Sequence, residues 1–196
     1  MTFHEVLTRR ADRLHLEQVG VAELAERFGT PLYAYSRQAL VERADRFEQA
    51  FRNVSHLVTY SNKANPSLAL SRLFTERGLG FDVTSRGELE RALRVGADPS
   101  TIVYSGVGKR PDEIDRALAV AIRMFNVESI EELECIDARA QALGAIAPIA
   151  FRLNPDVDPQ THPNIATGLR SSKFGIPIEQ ARAAYEQAGR LPHVKV

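Results

Sequence analysis

The sequence predicts an α/β protein whose core is a parallel β-sheet, in the form of a (β/α)8 barrel that this chain contains only in part. Short apolar and β-branched runs alternate with helical patterns of about ten to fifteen residues, which is typical of serial βαβ units. The units are uniform and their turns are short, which favours a barrel over a doubly wound sheet. We count about five full units after residue 55, followed by the start of a sixth.

The alternative, a doubly wound dinucleotide-binding sheet, lacks its usual fingerprint. The run Ser105-Gly106-Val107-Gly108 follows a predicted strand and contains two glycines. The third glycine of a G-x-G-x-x-G loop is absent from the required position. A bound nicotinamide or flavin dinucleotide is therefore not predicted.

The composition is that of an ordinary globular protein. Hydrophobic residues make up 44% and charged residues 26%, and the formal net charge is zero. A neutral chain gives no reason to expect nucleic acid or an anionic membrane as a partner. No apolar run is long enough to span a bilayer, and the first 17 residues lack the apolar core of a secretory signal. The one cysteine, Cys135, lies in a helical pattern and is predicted to be a packing residue, so we expect a cytoplasmic protein.

The predicted elements follow from periodicity and capping signals. Asn65 is predicted to cap a helix that begins at Pro66, and Ser36 to cap an earlier one. Two S-x-x-E capping boxes, Ser85 with Glu88 and Ser129 with Glu132, start later helices. Strands are predicted at 32–35, 57–60, 81–84, 101–105, 122–127, 146–153 and 193–196.

Polar and charged residues stand at the carboxyl ends of the predicted strands, where a barrel places its active site. A charge at such a position is costly unless it is paired or bound to a ligand. A partly desolvated lysine there can lose its proton and form a Schiff base. We therefore interpret Lys63 as a covalent anchor for an anionic cofactor, with Asp82 and Arg152 around it; the alternatives are a solvated loop lysine and a buried Asp–Arg ion pair without a ligand. The strand-end residues are Lys63, Asp82, Ser105, Asn126 and Arg152, with Asn154 just beyond.

Other candidates have simpler explanations. Glu88 already has a structural role as the third residue of a capping box. His162 lies in a long loop at 154–177 that is predicted to be functional or an interface, but a lone loop histidine is more often neither acid nor ligand. No second histidine or cysteine stands at metal-ligand spacing, so no metal site is predicted. A G-x-S-x-G nucleophile motif is also absent.

Eight segments in order resemble the diaminopimelate decarboxylase family, pyridoxal-phosphate enzymes of the fold-type III, alanine-racemase-like group. The resemblance covers the chain from about residue 19 onwards. The segments are FGTPLYAYS (28–36), YSNKAN (60–65), GFDVTSRGELERAL (80–93), IVYSGVGK (102–109), FNVES (125–129), FRLNPDVD (151–158), THPNIATGL (161–169) and SKFGI (172–176).

The resemblance implies a function and residue roles. Lys63 matches the lysine that holds pyridoxal 5'-phosphate, Asp82 and Glu88 match acidic residues of the same pocket, and Arg152 matches an arginine beside the cofactor ring. Lys173 resembles a lysine that pairs across a homodimer interface. The implied reaction is the decarboxylation of meso-2,6-diaminopimelate to L-lysine and carbon dioxide, the last step of lysine biosynthesis.

The resemblance also implies a domain division and two departures. Residues 1–36 would be an N-terminal segment with a strand of the family's β-domain, and residues 37–196 a partial cofactor-binding barrel. The family usually reads YAVKAN where this chain has Ser61-Asn62 before Lys63. The family continues beyond Val196 into a phosphate loop and a β-domain, so we expect this chain to be a truncated piece with little or no activity of its own.

Three alternatives remain at this stage. The intact parent is a fold-type III decarboxylase for ornithine, arginine or carboxynorspermidine, or the chain is a non-catalytic barrel remnant. A small cofactor-carrier family with a lone barrel is less favoured, since it lacks the FRLNPDVD and THP motifs.

Overall fold

A computed structural model describes residues 6–157, 160–161 and 174–196. The chain forms two compact units, one that ends at Val58 and one from Thr59 to Val196. The boundary predicted between residues 36 and 37 concerns the family's domains, and it stays a prediction. Among the described residues, every helix is too short or too polar to cross a membrane.

The first unit begins with a small antiparallel sheet that the sequence analysis did not predict. Its strands are β1 (Leu7–Arg10), β2 (Arg13–Leu16) and β3 (Val19–Gly20), paired in that order. The turn between β1 and β2 places two consecutive residues at positive φ, a conformation that suits a tight hairpin. The strands are too short for their alternation to stand out from the sequence.

The described part of this unit also contains the helices α1 (Val21–Phe28) and α2 (Arg37–Phe51). The predicted cap of α2 is confirmed, because the Ser36 hydroxyl accepts a hydrogen bond from the Ala39 amide at 2.9 Å. The strand predicted at 32–35 is wrong for this structure. These residues are assigned to no strand, and no described strand pairs with them. A β-strand requires a hydrogen-bonded neighbour, so an apolar run alone does not make one.

The second unit contains a six-stranded sheet in the order β11-β8-β7-β6-β5-β4, in which every neighbouring pair is parallel. Strand neighbours in space are thus mostly neighbours in sequence, as in a barrel wall. This confirms the predicted fold class, a partial parallel α/β barrel. The strands are β4 (Thr59–Ser61), β5 (Gly80–Val83), β6 (Ile102–Tyr104), β7 (Met124–Val127), β8 (Ala147–Phe151) and β11 (Val194–Lys195). A separate parallel pair joins β9 (Leu153–Asn154) and β10 (Ile176–Pro177).

A helix lies between most successive strands of the sheet. The helices are α3 (Leu68–Thr75), α4 (Arg86–Arg94), α5 (Pro111–Ala119), α6 (Ile130–Leu143) and α7 (Ala181–Ala188). The predicted caps Ser85 and Ser129 are confirmed, since each hydroxyl accepts the amide three residues on. The predicted cap at Asn65 and start at Pro66 are wrong by two residues, because the helix begins at Leu68 with Ser67 at its N-cap. The Asn65 side chain instead accepts the Ser67 amide at 3.0 Å, a local turn that ends before the helix begins.

The strands present two different faces. Phe81 and Val83 are fully buried, whereas Asp82 between them is partly exposed. The same alternation occurs in β7, where Phe125 and Val127 are fully buried and Asn126 is not. Because successive strand residues point to opposite sides, the apolar residues build the core on one face and the polar ones line the other. The predicted polar residues of β5 and β7 therefore share one face of the sheet.

Candidate cofactor site

Lys63 lies immediately after the carboxyl end of β4. It occupies a single 3-10 turn, Asn62–Ala64, and its side chain is exposed. Within the described part of the chain, no hydrogen bond or ion pair holds its ammonium group. The amine is thus open to a reagent at the edge of the sheet where a barrel collects its chemistry.

The residues on either side of this turn are fixed by hydrogen bonds. The Tyr60 hydroxyl donates to the Asn65 carbonyl at 3.1 Å, which closes the turn across its base. Asn62 is fully buried; its amide nitrogen donates to the Glu88 carbonyl, and its oxygen accepts the Ser71 hydroxyl. An exposed lysine therefore stands on a rigid backbone.

Asp82 receives hydrogen bonds from the strands on both sides of it. The Ser61 hydroxyl donates to one carboxylate oxygen at 3.2 Å, and the Ser105 hydroxyl donates to the other. The Asn126 amide in turn donates to the Ser105 hydroxyl at 2.9 Å. Since this donor occupies the acceptor side of the Ser105 oxygen, the Ser105 proton points to Asp82. The row therefore fixes the position of the Asp82 side chain on the open face of the sheet.

Glu88 carries out the structural task that the capping box predicts, with a shift of one residue. Its amide is held by the Ser85 hydroxyl at 3.3 Å. Its carboxylate accepts the Thr84 amide at 2.7 Å and the Thr84 hydroxyl at 3.2 and 3.3 Å. The side chain therefore folds back on the residue before the cap, at the carboxyl end of β5.

Arg152 pairs with Glu128, not with Asp82, so the alternative of an Asp–Arg pair at this site does not hold. One guanidinium nitrogen lies 3.1 Å from both carboxylate oxygens of Glu128. The guanidinium carbon lies 4.7 Å from the centre of the Phe174 ring, a cation–π distance. The arginine side chain is 38% exposed, so it remains accessible to an anion while its orientation is fixed.

Glu128 is the site residue that the sequence analysis missed. Its side chain is only 2% exposed, and besides Arg152 it accepts the backbone amides of Gly106 and Gly175 at 3.0 and 3.3 Å. A buried carboxylate is stable only with such partners. The available signal in the sequence was an acidic residue directly after the apolar strand β7.

A second buried ion pair lies close by. The Lys109 ammonium, on a side chain only 1% exposed, donates to the Gly106 and Asn126 carbonyls at 2.8 and 2.7 Å and to the Glu132 carboxylate. Burial raises the pKa of Glu132, although the charge of Lys109 and its hydrogen bond act in the opposite direction. Lys109 therefore links the chain after β6, at Gly106, to β7, at Asn126.

The structure thus gathers part of the predicted set. Asp82, Ser105 and Asn126 form one hydrogen-bonded row. Lys63 follows β4 without a partner for its ammonium among the described residues, Glu88 bonds Thr84 at the end of β5, and Arg152 follows β8 and pairs with Glu128. The predicted interface residue Lys173 and the loop histidine His162 lie outside the described residues. In the part of the chain that the structure describes, no group of three or more His, Cys, Asp or Glu residues is placed to hold a metal ion.

The donor set fits a cofactor that carries both a carbonyl group and negative charge. The amine of Lys63 is exposed for condensation with an aldehyde, and Arg152 offers a half-exposed cation. Asp82 supplies a fixed carboxylate that can pair with a cationic group. A parallel barrel wall with an exposed lysine at its carboxyl edge is the arrangement expected of a barrel that binds an aldehyde cofactor, the class to which pyridoxal-phosphate-binding barrel proteins belong.

Comparison with known proteins identifies the family. Residues 37–196 match the sequence profile described as pyridoxal-dependent decarboxylase, pyridoxal binding domain. The chain belongs to this family. This confirms the family predicted from the eight sequence segments.

Named relatives refine the comparison. The diaminopimelate decarboxylase of Haemophilus influenzae is 47% identical over 185 residues, 94% of this chain and 45% of that protein. The Pseudomonas aeruginosa diaminopimelate decarboxylase is 46% identical over 98% of this chain and 46% of that protein. The crystal structure of the M. jannaschii diaminopimelate decarboxylase in complex with L-lysine superposes with a TM-score of 0.92 at 38% identity, covering all of this chain and 47% of that one. The chain therefore spans less than half the length of the relatives it matches.

Proposed function

We propose that this chain forms the pyridoxal-phosphate-binding part of a diaminopimelate decarboxylase, which releases carbon dioxide from meso-2,6-diaminopimelate and yields L-lysine. The observation that carries the proposal is the exposed amine of Lys63 on a fixed turn at the carboxyl end of β4. The named relatives, which are 46–47% identical along nearly the whole chain, support the choice of substrate.

Each residue of the site has a proposed task. The cofactor, when bound, delocalises the electron pair that carbon dioxide leaves behind. Lys63 holds the cofactor covalently through its amine. Asp82, oriented by two hydroxyl groups, places negative charge on the open face of the sheet, where it stabilises a cationic group. Arg152, oriented by Glu128, binds an anionic group, and Glu88 contributes a carboxylate anchored on Thr84.

The test of cofactor binding is reductive labelling with pyridoxal phosphate, followed by peptide mapping. The sequence contains four lysines, Lys63, Lys109, Lys173 and Lys195, of which Lys195 is a second exposed one. We expect label to concentrate on Lys63 in the wild-type chain and to disappear from that peptide in Lys63→Arg. Equal labelling of Lys63 and Lys195 would contradict the proposal.

The test of the substrate is the release of carbon dioxide from diaminopimelate, ornithine and arginine in separate assays. We expect release from diaminopimelate to exceed the other two for a protein that contains this chain together with a substrate-binding second half. For the 196-residue chain alone we expect little or no turnover, since the relatives are more than twice as long. If carbon dioxide were released faster from ornithine or arginine, that amino acid would replace diaminopimelate as the proposed substrate.

The assembly is also part of the proposal. We expect the intact enzyme to be a homodimer with Lys173 at the subunit interface, and residues 1–36 to belong to the second domain of the family. Both expectations rest on the sequence resemblance. Light scattering of a purified intact enzyme and of its Lys173→Glu variant tests the first, with a shift to monomer as the expected result.

A further inference from the structure

Asn62, the residue directly before Lys63, is a polar side chain in a position that an apolar one would fill. It is 0% exposed, although it lies in the short turn that brings Lys63 to the surface. An amide buried without partners costs several kcal/mol, so such a residue persists only where its hydrogen bonds are satisfied. Its partners therefore indicate what it does.

The two partners belong to two different helices. The Asn62 amide nitrogen donates to the Glu88 backbone carbonyl of α4 at 3.2 Å. Its carbonyl oxygen accepts a hydrogen bond at 3.3 Å from the hydroxyl of Ser71 in α3, which is also fully buried. One side chain thus links the Lys63 turn to the helix that follows β4 and to the helix that follows β5.

These hydrogen bonds matter more for the direction of the Lys63 side chain than for the stability of the core. Side chains in a 3-10 turn follow one another at about 120°, so a fixed Asn62 also fixes the direction in which Lys63 leaves the backbone. Two buried polar partners replaced together by apolar groups of similar shape cost little stability, and they can even be neutral. The Asn62–Ser71 pair is therefore not required for a packed core at this point.

We infer that Asn62, held by Ser71, is a positioning residue that directs the Lys63 amine at the cofactor carbonyl. The inference rests on the proposed role of Lys63 as the cofactor anchor. In the reaction concerned, the lysine amine condenses with the aldehyde with loss of one water molecule. Misplacement of a reacting atom by about 1 Å can slow such a step by up to about a hundredfold, so orientation matters even for an exposed amine.

The experiment compares labelling of Lys63 with that of Lys195 in the same molecule, by pyridoxal phosphate and by formaldehyde, each with cyanoborohydride. The test variant is the double substitution Asn62→Val/Ser71→Ala. If it does not fold, Ser71→Ala alone takes its place, since this variant keeps the hydrogen bond from Asn62 to the Glu88 carbonyl. The matched control is Ser129→Ala, which loses a helix cap far along the chain. Thermal unfolding of every variant gives the folded fraction, to which the labelling rates are normalised.

We expect the ratio of Lys63 to Lys195 labelling by pyridoxal phosphate to fall about fivefold or more in the double variant and to stay unchanged in Ser129→Ala. With formaldehyde, which needs no oriented amine, the ratio should change by less than about twofold. A double variant that melts at a different temperature but keeps the wild-type ratio would show a merely structural role and overturn the inference. A wild-type chain without preference for Lys63 would instead refute the proposed anchor role, and the inference with it.

Discussion

Replacement of Lys109 by methionine should destabilise the second unit far more than the loss of an ordinary surface charge. The Lys109 side chain is 1% exposed and that of Glu132 is 9% exposed. Without the lysine, the Glu132 carboxylate loses its cation, and the Gly106 and Asn126 carbonyls lose their donor. Removal of one partner from a buried pair typically costs about 3–5 kcal/mol, against less than about 1 kcal/mol for an exposed pair. For a protein of this size, that loss lowers Tm by about 6–20 °C.

The loss of Tm in Lys109→Met should depend on pH through the pKa of Glu132. Burial already raises the pKa of Glu132 above its usual value, and Lys109 is the main cause that lowers it. In Lys109→Met the pKa in the folded state therefore rises further above that of the unfolded state. The penalty is complete above the folded pKa and disappears below the unfolded one, so the loss in Tm should shrink as the pH falls from about 7.5 to 5.

The assay is thermal unfolding of wild type, Lys109→Met and Lys109→Met/Glu132→Gln over this pH range. The double variant lacks both charges of the Lys109–Glu132 pair, and its glutamine oxygen can still accept the Glu128 amide that Glu132 now binds at 3.1 Å. It should recover at least half of the lost Tm at pH 7.5 and lack the pH dependence of the single variant. A loss of Tm in Lys109→Met that is small, or equal at both pH limits, would refute the argument from a buried pair.

Four further substitutions, one of them a control, test the framework of the site by thermal or urea unfolding. Gly80→Ala should cost about 1–3 kcal/mol or more, since its Cβ would lie 2.2 Å from the Thr101 carbonyl oxygen. Gly87→Ala is the control: its Cβ would only touch the Ser85 hydroxyl at 4.0 Å, so this change in a helix should be neutral or stabilising. Ser129→Ala should cost about 1 kcal/mol through its lost cap. Glu128→Ala should cost about 2–4 kcal/mol because two backbone amides lose their acceptor, and a loss below about 0.5 kcal/mol would contradict the role given to Glu128.

The sequence predicts the barrel wall well because its signal repeats. Each unit of the second half combines a short apolar strand with a helix, two of the helices also begin at capping serines, Ser85 and Ser129, and these signals agree with one another. Two segments of the first unit differ from the prediction: the N-terminal hairpin was not predicted, and residues 32–35 were predicted as a strand but form none. Strands of two to four residues give too few alternations to read, and an apolar run becomes a strand only where a neighbour supplies hydrogen bonds.

The sequence predicts only those residues of the candidate site whose positions follow from the ends of the strands. Lys63, Asp82 and Arg152 follow from their positions, and the row from Asp82 to Asn126 follows from the strand order. Their partners do not, because a partner depends on which side chains meet after the sheet twists. The sequence offered Asp82 as a charged partner for Arg152. The arginine pairs instead with Glu128, the residue after the adjacent strand β7.

This pairing has a consequence for the way the site is built. Arg152 and Glu128 stand on neighbouring strands, whereas Asp82 is two strands further away from β8. Had Arg152 paired with Asp82, the carboxylate on the open face of the sheet would have had a cation as its partner. Because Arg152 pairs with Glu128 instead, Asp82 is oriented by two neutral serine hydroxyls. We propose that a bound cofactor meets two charged groups held in this way, the Asp82 carboxylate and the 38% exposed guanidinium of Arg152.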